Sequence, residues 1–156
     1  AEKMGIDTKK ARLTALLHDF AKPLSERELI KTVKKSDWEI DTIELNLPEV
    51  LHAPAAAFLV KNKYDIIEDD ILEAIRYHTI GHPQMGGLAL IIFAADFIEP
   101  NRSYAGVNRL RSFLKRPFSE LIVAVCNQSI KYNIDRERII HPNTLLLRNK
   151  YLGGSF

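Results

Sequence analysis

Apolar residues recur along almost the whole chain at the spacing of an α-helix. The first predicted helix carries four of them on one face, at i, i+3, i+4 and i+7: Leu13, Leu16, Leu17 and Phe20. Asp7 or Thr8 is a suitable N-cap for this helix, and Pro23 stops it. No segment alternates apolar and polar residues as a half-buried strand does, so the sequence predicts an all-α fold.

Start and stop signals place the other helices. Ser25 and Glu28 form a capping box that opens a polar helix reaching about residue 36. Residues 37–48 are interpreted as an acidic connection without a helix. Further helices are predicted over 49–62, 68–80, 86–98, 104–115 and 117–132, with a last one after Pro142. Residues 1–4 followed by Gly5 resemble the last turn of a helix, so we expect the chain to begin inside an element.

Composition excludes several classes of protein. A length of 156 residues suits one domain over 1–156, and a net charge of +2 is too small for the basic surface that binds nucleic-acid polymers. Cys126 is the single cysteine, which excludes an internal disulfide framework and predicts a reducing compartment. The longest purely apolar run, 88–95, is far shorter than the ~20 residues of a membrane span. We therefore expect a cytoplasmic protein without a membrane partner.

The predicted helix over 86–98 is apolar on every face and should be buried, yet it contains Asp96. An ionised carboxylate in such a place is costly unless it is paired or binds a metal ion. The sequence leaves two interpretations of Asp96 open, a salt bridge to an arginine and a metal ligand.

Three histidines have a similar setting. His18 and Asp19 lie on the small-residue face of the first helix, with Lys22 one turn later, and taken alone this face is interpreted as an ordinary solvated surface. His52 precedes a run of alanines and His78 shares a face with two isoleucines, where a lone histidine is usually a core residue. Three such histidines and two aspartates on different helices instead suit Fe, Mn or Zn held inside a helical bundle.

Cations accompany these candidate ligands. Lys22 follows the histidine-aspartate pair by one turn, Arg102 follows Asp96 by six residues, and His82 follows His78 by four. Each also fits a plainer interpretation, as a surface charge or a turn residue. Metal ligands flanked by cations favour a phosphoester or phosphoanhydride substrate over a peptide.

Five segments of the chain match one family: 16–22 (LLHDFAK), 51–57 (LHAPAAA), 74–81 (AIRYHTIG), 95–102 (ADFIEPNR) and 141–149 (HPNTLLLRN). Together they resemble the HD-domain metal-dependent phosphohydrolases, and within these the bacterial HD-type symmetrical diadenosine tetraphosphate hydrolases, the YqeK family. The His18-Asp19 doublet alone is a weak match, whereas the segments containing His78 and Asp96 are more specific. The resemblance covers nearly the whole chain and implies a single helical bundle of the HD fold.

The resemblance also implies an activity, the hydrolysis of diadenosine tetraphosphate to two ADP by a metal-activated water. It implies two transition-metal ions, iron foremost and manganese or another divalent metal otherwise. The implied metal ligands are His18, Asp19, His52, His78 and Asp96, with Asp19 as the bridge. The implied catalytic residues are Asp19, Lys22 and His82, the last as proton donor to the leaving group. The implied substrate contacts are Asp19, Lys22, His78, Thr79, His82, Arg102, His141 and Arg148.

The sequence departs from the family at its start. The family has a further metal-ligand histidine in a helix before the HD helix, and this sequence has no residues there. We therefore expect a bundle that lacks its first helix, either because this sequence is truncated, which we favour, or because one metal has an incomplete set of ligands and binds more weakly. Ile80 and Ala56 stand where relatives are expected to have Thr and Gly, which are tolerable changes at the pocket edge and in helix packing.

Other functions stay open at the same site. One is a nucleotidase or phosphodiesterase acting on smaller nucleotides, and another is a non-catalytic HD module that binds a nucleotide. A metal-free helical core domain is a further alternative. The expected partner is a nucleotide, and the resemblance leaves a homodimer open.

Overall fold

The computed structural model describes residues 1–153, apart from the side chain of Lys3, and within them the chain consists of helices joined by turns. Nine α-helices lie in this range: α1 (Thr8–Leu17), α2 (Glu26–Val33), α3 (Thr42–Leu45), α4 (His52–Tyr64), α5 (Asp69–Tyr77), α6 (Gly87–Ile98), α7 (Val107–Ser112), α8 (Phe118–Ile134) and α9 (Pro142–Leu152). Short 3-10 helices occur at Glu2–Met4, Pro48–Val50 and Phe113–Lys115. The all-α prediction is confirmed for the described residues, and residues 154–156 of the predicted domain lie outside them.

Local hydrogen bonds explain where the first two α-helices begin. Asp7 Oδ1 accepts the backbone N–H groups of Lys9 and Lys10, which makes Asp7 the N-cap of α1. The capping box predicted for α2 is present. Ser25 Oγ accepts the N–H of Glu28, and the Glu28 carboxylate accepts the N–H of Ser25 at 2.8 Å.

The core forms around α6. Phe93 of α6 and Ile75 of α5 are both fully buried, and α5 packs against α4 as well as α6. The buried segment 53–57 of α4 is mostly alanine, so α4 can approach its neighbours closely. The helices α8 and α9 pack as a pair in which Leu147 and the free Cys126 are fully buried, as expected for core packing. No helix within residues 1–153 has both the length and the apolar character needed to cross a membrane.

The apolar face predicted for the first helix is buried only in part, since Leu17 and Phe20 pack partly buried against the core. Leu13 and Leu16 are 42% and 81% exposed, whereas Ala11 and Thr14 on the other face are buried. The small side chains let α1 approach α5 and α6, which it contacts. The interpretation of the small-residue face as a solvated surface is therefore wrong, and that face directs His18 into the bundle.

The predicted acidic connection over 37–48 also needs correction, because it contains α3. Asp41 caps α3, accepting the N–H of Glu44 at 2.8 Å, and the Glu44 carboxylate accepts the N–H of Asp41 at 3.3 Å. This second capping box has the same spacing as the one at Ser25. A helix start was therefore present in the sequence where a loop was expected.

Two further helix boundaries differ from the predictions. The helix expected over 104–115 starts later, at α7, because Gly106 takes a left-handed conformation with φ of 94° directly before it, and its last residues form the 3-10 helix Phe113–Lys115. The first helix ends at Leu17, so His18 and Asp19 lie at its carboxyl end and in the following turn. The sequence analysis placed both residues on a continuing helix, whereas the structure places them at the end of the helix and beyond it.

Candidate metal centre

The ends of four helices bring the predicted metal ligands together. His18 directly follows α1 and Asp19 lies in the next turn, while His52 is the first residue of α4. His78 directly follows α5, and Asp96 lies in the last turn of α6. The side chains of His78 and His52 are 1% and 12% exposed, whereas that of Asp19 is 32% exposed. The site is therefore closed on its histidine side and open on its aspartate side.

Each of the three histidines is oriented by its own backbone. The Nδ1 atoms of His18, His52 and His78 lie 2.6, 2.7 and 2.8 Å from the carbonyl oxygen three residues earlier. A carbonyl oxygen only accepts hydrogen bonds, so Nδ1 carries the proton and Nε2 of the neutral ring keeps its lone pair. The backbone thus sets the tautomer of a histidine that binds metal through Nε2.

The three Nε2 atoms converge on the carboxylate of Asp19. Those of His52 and His78 lie 3.2 and 3.5 Å from Asp19 Oδ1, and that of His18 lies 3.6 Å from Asp19 Oδ2. The Nε2 atoms of His52 and His78 are themselves only 3.0 Å apart. Two facing lone pairs at this distance repel each other unless a proton or a metal ion lies close to both.

Asp96 approaches His18 from the other side of the site. Asp96 Oδ1 lies 3.9 Å from His18 Nε2, which is buried and has no hydrogen-bond partner within residues 1–153. The Arg102 guanidinium also donates to the Asp96 carboxylate, and its Nε donates to the Asp96 main-chain oxygen at 2.8 Å. The arginine salt bridge expected as one alternative for Asp96 is therefore present, and its carboxylate still faces His18.

Two cations border the open side of the site. Lys22 Nζ lies 2.6 Å from Asp19 Oδ2, and the Lys22 side chain is 56% exposed. Arg102, bound to Asp96, is 37% exposed. Each cation is thus held by a candidate metal ligand and remains accessible to an anionic substrate.

The protonation states of Asp19, Asp96 and His78 suit metal binding, whereas burial opposes protonation of His18 but its contact with Asp96 outweighs this and raises the pKa of that ring. Burial opposes ionisation of Asp19, but its contacts with His52, His78 and Lys22 outweigh it and hold the pKa of this carboxyl group well below its usual range. Burial likewise opposes ionisation of Asp96, and the nearby His18 together with the Arg102 guanidinium lowers its pKa to about 2. Burial lowers the pKa of His78, which favours its neutral form. Ionised carboxylates and neutral imidazoles are the forms that coordinate metals.

The donor set fits a transition-metal ion. One donor atom from each of His18, Asp19 and His78 lies within 4.8 Å of the others, and His52 and Asp96 adjoin this group. Imidazole nitrogen together with carboxylate oxygen suits Fe, Mn and Zn. A network of ordinary hydrogen bonds leaves the buried Nε2 of His18 without a partner, whereas a metal ion between the imidazoles and carboxylates would give it one.

A cavity of about 600 Å³ opens from these ligands. The residues at its metal end are Lys22, His78, Asp96 and Arg102. Farther out it is lined largely by apolar and aromatic groups, among them Ile80, Phe97, Tyr104 and Tyr132, and by the polar residues Gln128, Ser129 and Asn133. The sequence analysis missed the α8 residues, although polar and aromatic side chains at i, i+1, i+4 and i+5 on a mostly apolar helix were a readable signal.

The other predicted substrate contacts divide into two groups. Thr79 and His141 line the cavity, and their contacts with a substrate stay predictions. His82 and Arg148 do not belong to its lining. The His82 ring stacks on Tyr77 with ring centroids 4.7 Å apart, and Arg148 Nε donates to an asparagine side chain of α8. The roles of His82 and Arg148 stay predictions.

A second group of close donor atoms lies beside α3 and consists of Asp41, Glu44 and His141. The Glu44 carboxylate is bound by Arg76, whose Nη1 and Nη2 each lie 2.8 Å from one of its oxygens. The guanidinium supplies the positive charge that a cation would bring, so this group forms an ion-pair network. The sequence analysis missed it, although the Asp41-to-Glu44 spacing marks a capping box.

Comparison with known proteins agrees with this arrangement. The HD domain family model matches residues 1–148. The symmetrical bis(5'-nucleosyl)-tetraphosphatase of Bacillus subtilis is 34% identical over 155 residues, which is 99% of this chain and 83% of that protein. The enzyme of the same name from Halalkalibacterium halodurans is 36% identical over 152 residues, covering 97% of this chain and 81% of that protein.

A solved structure has the same fold. It comes from Clostridium acetobutylicum, is described as a predicted HD superfamily hydrolase involved in NAD metabolism, and matches with a TM-score of 0.91 at 33% identity. The match covers 97% of this chain and 80% of that chain. The chain therefore belongs to the HD domain family, and its relatives within that family include the symmetrical bis(5'-nucleosyl)-tetraphosphatases.

Proposed function

We propose that this protein hydrolyses diadenosine tetraphosphate symmetrically to two ADP at a divalent-metal centre. The observation that carries the proposal is the convergence of three Nε2 lone pairs, fixed by backbone carbonyls, on the carboxylates of Asp19 and Asp96. Relatives that are 34% and 36% identical are named symmetrical bis(5'-nucleosyl)-tetraphosphatases, which supports this substrate over a smaller nucleotide.

The proposed centre holds two transition-metal ions, iron foremost, with manganese as the first alternative. Its ligands are His18, Asp19, His52, His78 and Asp96. The two oxygens of Asp19 face different histidines, Oδ1 towards His52 and His78 and Oδ2 towards His18, as a bridging carboxylate would. When bound, such ions activate water and stabilise negative charge on phosphate oxygens.

The residues of the chain supply substrate binding and orientation. Lys22 and Arg102 would bind phosphate oxygens, since both cations lie at the metal end of the cavity and remain partly exposed. The Thr79 hydroxyl is buried, lines the cavity and has no partner within the described residues, so it is available to donate to a phosphate. Tyr104 and Tyr132 offer flat apolar surfaces for a nucleoside farther out.

Three further assignments belong to the proposal. His82 would protonate the leaving phosphate and Arg148 would border the nucleoside, although both lie outside the cavity lining and would have to move towards it. A nucleotide substrate and the buried, unpaired thiol of Cys126 both suit the cytoplasm.

The direct test is a product analysis. The protein is stripped of metal, reloaded with iron or manganese, and incubated with diadenosine tetraphosphate before anion-exchange chromatography. We expect ADP as the sole nucleotide product. AMP together with ATP would contradict the symmetrical cut, faster hydrolysis of mononucleotides would favour a nucleotidase, and no product with either metal would contradict the activity.

Substitution of the bridging residue links the activity to the site. Asp19→Ala should lose bound metal and hydrolysis while keeping an α-helical circular-dichroism spectrum. Asp37→Ala is a matched control, because the Asp37 side chain is 95% exposed and lies outside the site. Full activity of Asp19→Ala would remove the basis of the proposal.

A further inference from the structure

A closed ring of polar contacts surrounds the wall of the cavity next to the metal site. On α5, Arg76 is 3% exposed and binds the equally buried Glu44 carboxylate through both terminal nitrogens. Arg76 also donates to the main-chain oxygen of Glu39 at 3.0 Å, so it fixes the segment before α3 as well as α3 itself. Arg76 lies two residues before the candidate metal ligand His78.

The ring continues from α3 to α9. The capping box holds the Asp41 carboxylate in place, with Oδ1 accepting the N–H of Glu44. The other oxygen, Oδ2, lies 2.8 Å from Nε2 of His141, one hundred residues later in the chain. His141 is 5% exposed and forms part of the cavity wall.

Both nitrogens of the His141 ring have a fixed role. Nδ1 accepts the N–H of Asn143 at 3.2 Å and so caps α9. Because Nδ1 accepts, Nε2 carries the proton of the neutral ring and donates it to Asp41. Because both nitrogens of the His141 imidazole are engaged, this side chain contacts a ligand through its carbon edge or its face. Asp41 sets its position.

The ring of polar contacts closes at the segment after α5. Thr144, one turn into α9, donates from its hydroxyl to the Ile80 main-chain oxygen at 2.7 Å. Ile80 lies two residues after His78, and Thr79, Ile80 and Thr144 all line the cavity. The first turn of α9 is therefore tied on one side to α3 and on the other to the segment that follows the metal ligand.

We propose that Asp41 is a positioning residue for the substrate, acting through its hydrogen bond with His141 to fix the α9 wall of the cavity. Asp41 itself is not among the residues that line the cavity. The proposal rests on the proposed function for the identity of the nucleotide. It assigns to Asp41 an effect on nucleotide affinity and none on metal binding or on the chemical step.

The substitution Asp41→Asn tests this role with little change in shape. If the amide oxygen keeps accepting from Glu44, the amide N–H groups face the Nε2–H of His141, and the His141 bond is lost. If the amide turns over, the His141 bond is kept and the cap of α3 is lost instead, so Asp41→Ala, which breaks the His141 bond in either case, is measured beside it. We expect KM for diadenosine tetraphosphate to rise roughly tenfold, the ratio that corresponds to one charge-assisted hydrogen bond, with kcat within twofold and metal content unchanged.

Asp7→Asn is the matched control, because Asp7 caps α1 through one oxygen and has no histidine partner among the described residues. It should leave KM unchanged. The variant His141→Asn keeps an N-cap side chain on α9 but removes the partner of Asp41. In that background Asp41→Asn should change KM less than twofold further, because both substitutions break the same contact.

The outcomes are distinct. An unchanged KM in Asp41→Ala, a fall in kcat alone, or an equally large effect of either Asp41 substitution in the His141→Asn background would overturn the proposal. A wild-type protein that leaves diadenosine tetraphosphate intact would instead overturn the proposed function. In that case the dissociation constant of ADP, measured by calorimetry on the metal-loaded wild type and the same variants, replaces KM and carries the same expectations.

Discussion

Removal of the Arg76 guanidinium should cost far more stability than removal of an exposed arginine. In Arg76→Met the Glu44 carboxylate keeps its burial, with 3% of the side chain exposed, but loses two contacts of 2.8 Å. The remaining hydrogen-bond donor is the Asp41 N–H at 3.3 Å. Breaking a buried ion pair from one side typically costs about 3–5 kcal/mol, because it leaves an uncompensated charge. We expect a loss of that size.

Urea unfolding followed by circular dichroism, with a chelator present to exclude effects of metal, measures this loss. Arg116→Met is the control, since Arg116 pairs with Glu120 at 3.3 Å while both side chains are about half exposed. Such a pair contributes about 1 kcal/mol or less. The double variant Arg76→Met/Glu44→Leu, which removes both charges, should recover most of the stability.

Two results would refute this reasoning. A loss below about 1 kcal/mol for Arg76→Met would mean that Glu44 finds another partner or water, contrary to the burial of both side chains. A double variant as unstable as the single one would mean that the cost comes from lost packing and not from an unpaired charge.

Three further outcomes are expected. Lys22→Ala should raise KM for diadenosine tetraphosphate about tenfold with bound metal retained, as measured by steady-state kinetics and elemental analysis. Gly81→Ala should destabilise the protein by about 2 kcal/mol or more in urea unfolding, because the φ of Gly81 is +68° and a Cβ would lie 2.8 Å from the buried Leu147 side chain. The control Gly5→Ala, at φ +66° with open space around it, should cost only about 1 kcal/mol. Cys126, whose thiol pKa is raised by burial to about 12, should resist thiol reagents at pH 8 until the protein is unfolded, and rapid labelling of the native protein would contradict this.

Helices with strong local signals were predictable. The helix expected over 86–98 is found at Gly87–Ile98, because a glycine pair precedes its apolar residues and Pro100 follows them. The start of α2 followed from the capping box at Ser25. In these places the local chemistry determines the element, and tertiary contacts do not override it.

The buried side of α1 could not be read from its own residues. Four apolar side chains on one face indicate a core face in an isolated helix, yet Leu13 and Leu16 are exposed. Which face is buried depends on how closely α5 and α6 approach, and the small side chains of Ala11 and Thr14 permit that approach. Helical periodicity shows that the two faces of α1 differ in polarity, but it does not show which neighbouring helix each face contacts.

The candidate site was also predictable only in part, because some of its contacts join residues that are far apart in the sequence. Histidines and aspartates on several helices, and the resemblance they carried, indicated the candidate ligands that the structure brings together around Asp19. The pairing of Asp41 with His141 joins residues one hundred positions apart, and no local pattern encodes such a contact. Likewise, no local pattern indicated that His82 stacks on Tyr77 and stands outside the cavity lining.

We propose above that His18, Asp19, His52, His78 and Asp96 hold a divalent metal centre. Anomalous diffraction from crystals of the manganese-loaded protein tests it most directly. We expect two anomalous peaks, each about 2.0–2.2 Å from one Asp19 oxygen and from the histidine Nε2 atoms that face that oxygen, a typical distance for such ligands. Crystals grown with manganese or iron in excess that show no peak among these five residues, or a peak elsewhere alone, would contradict it.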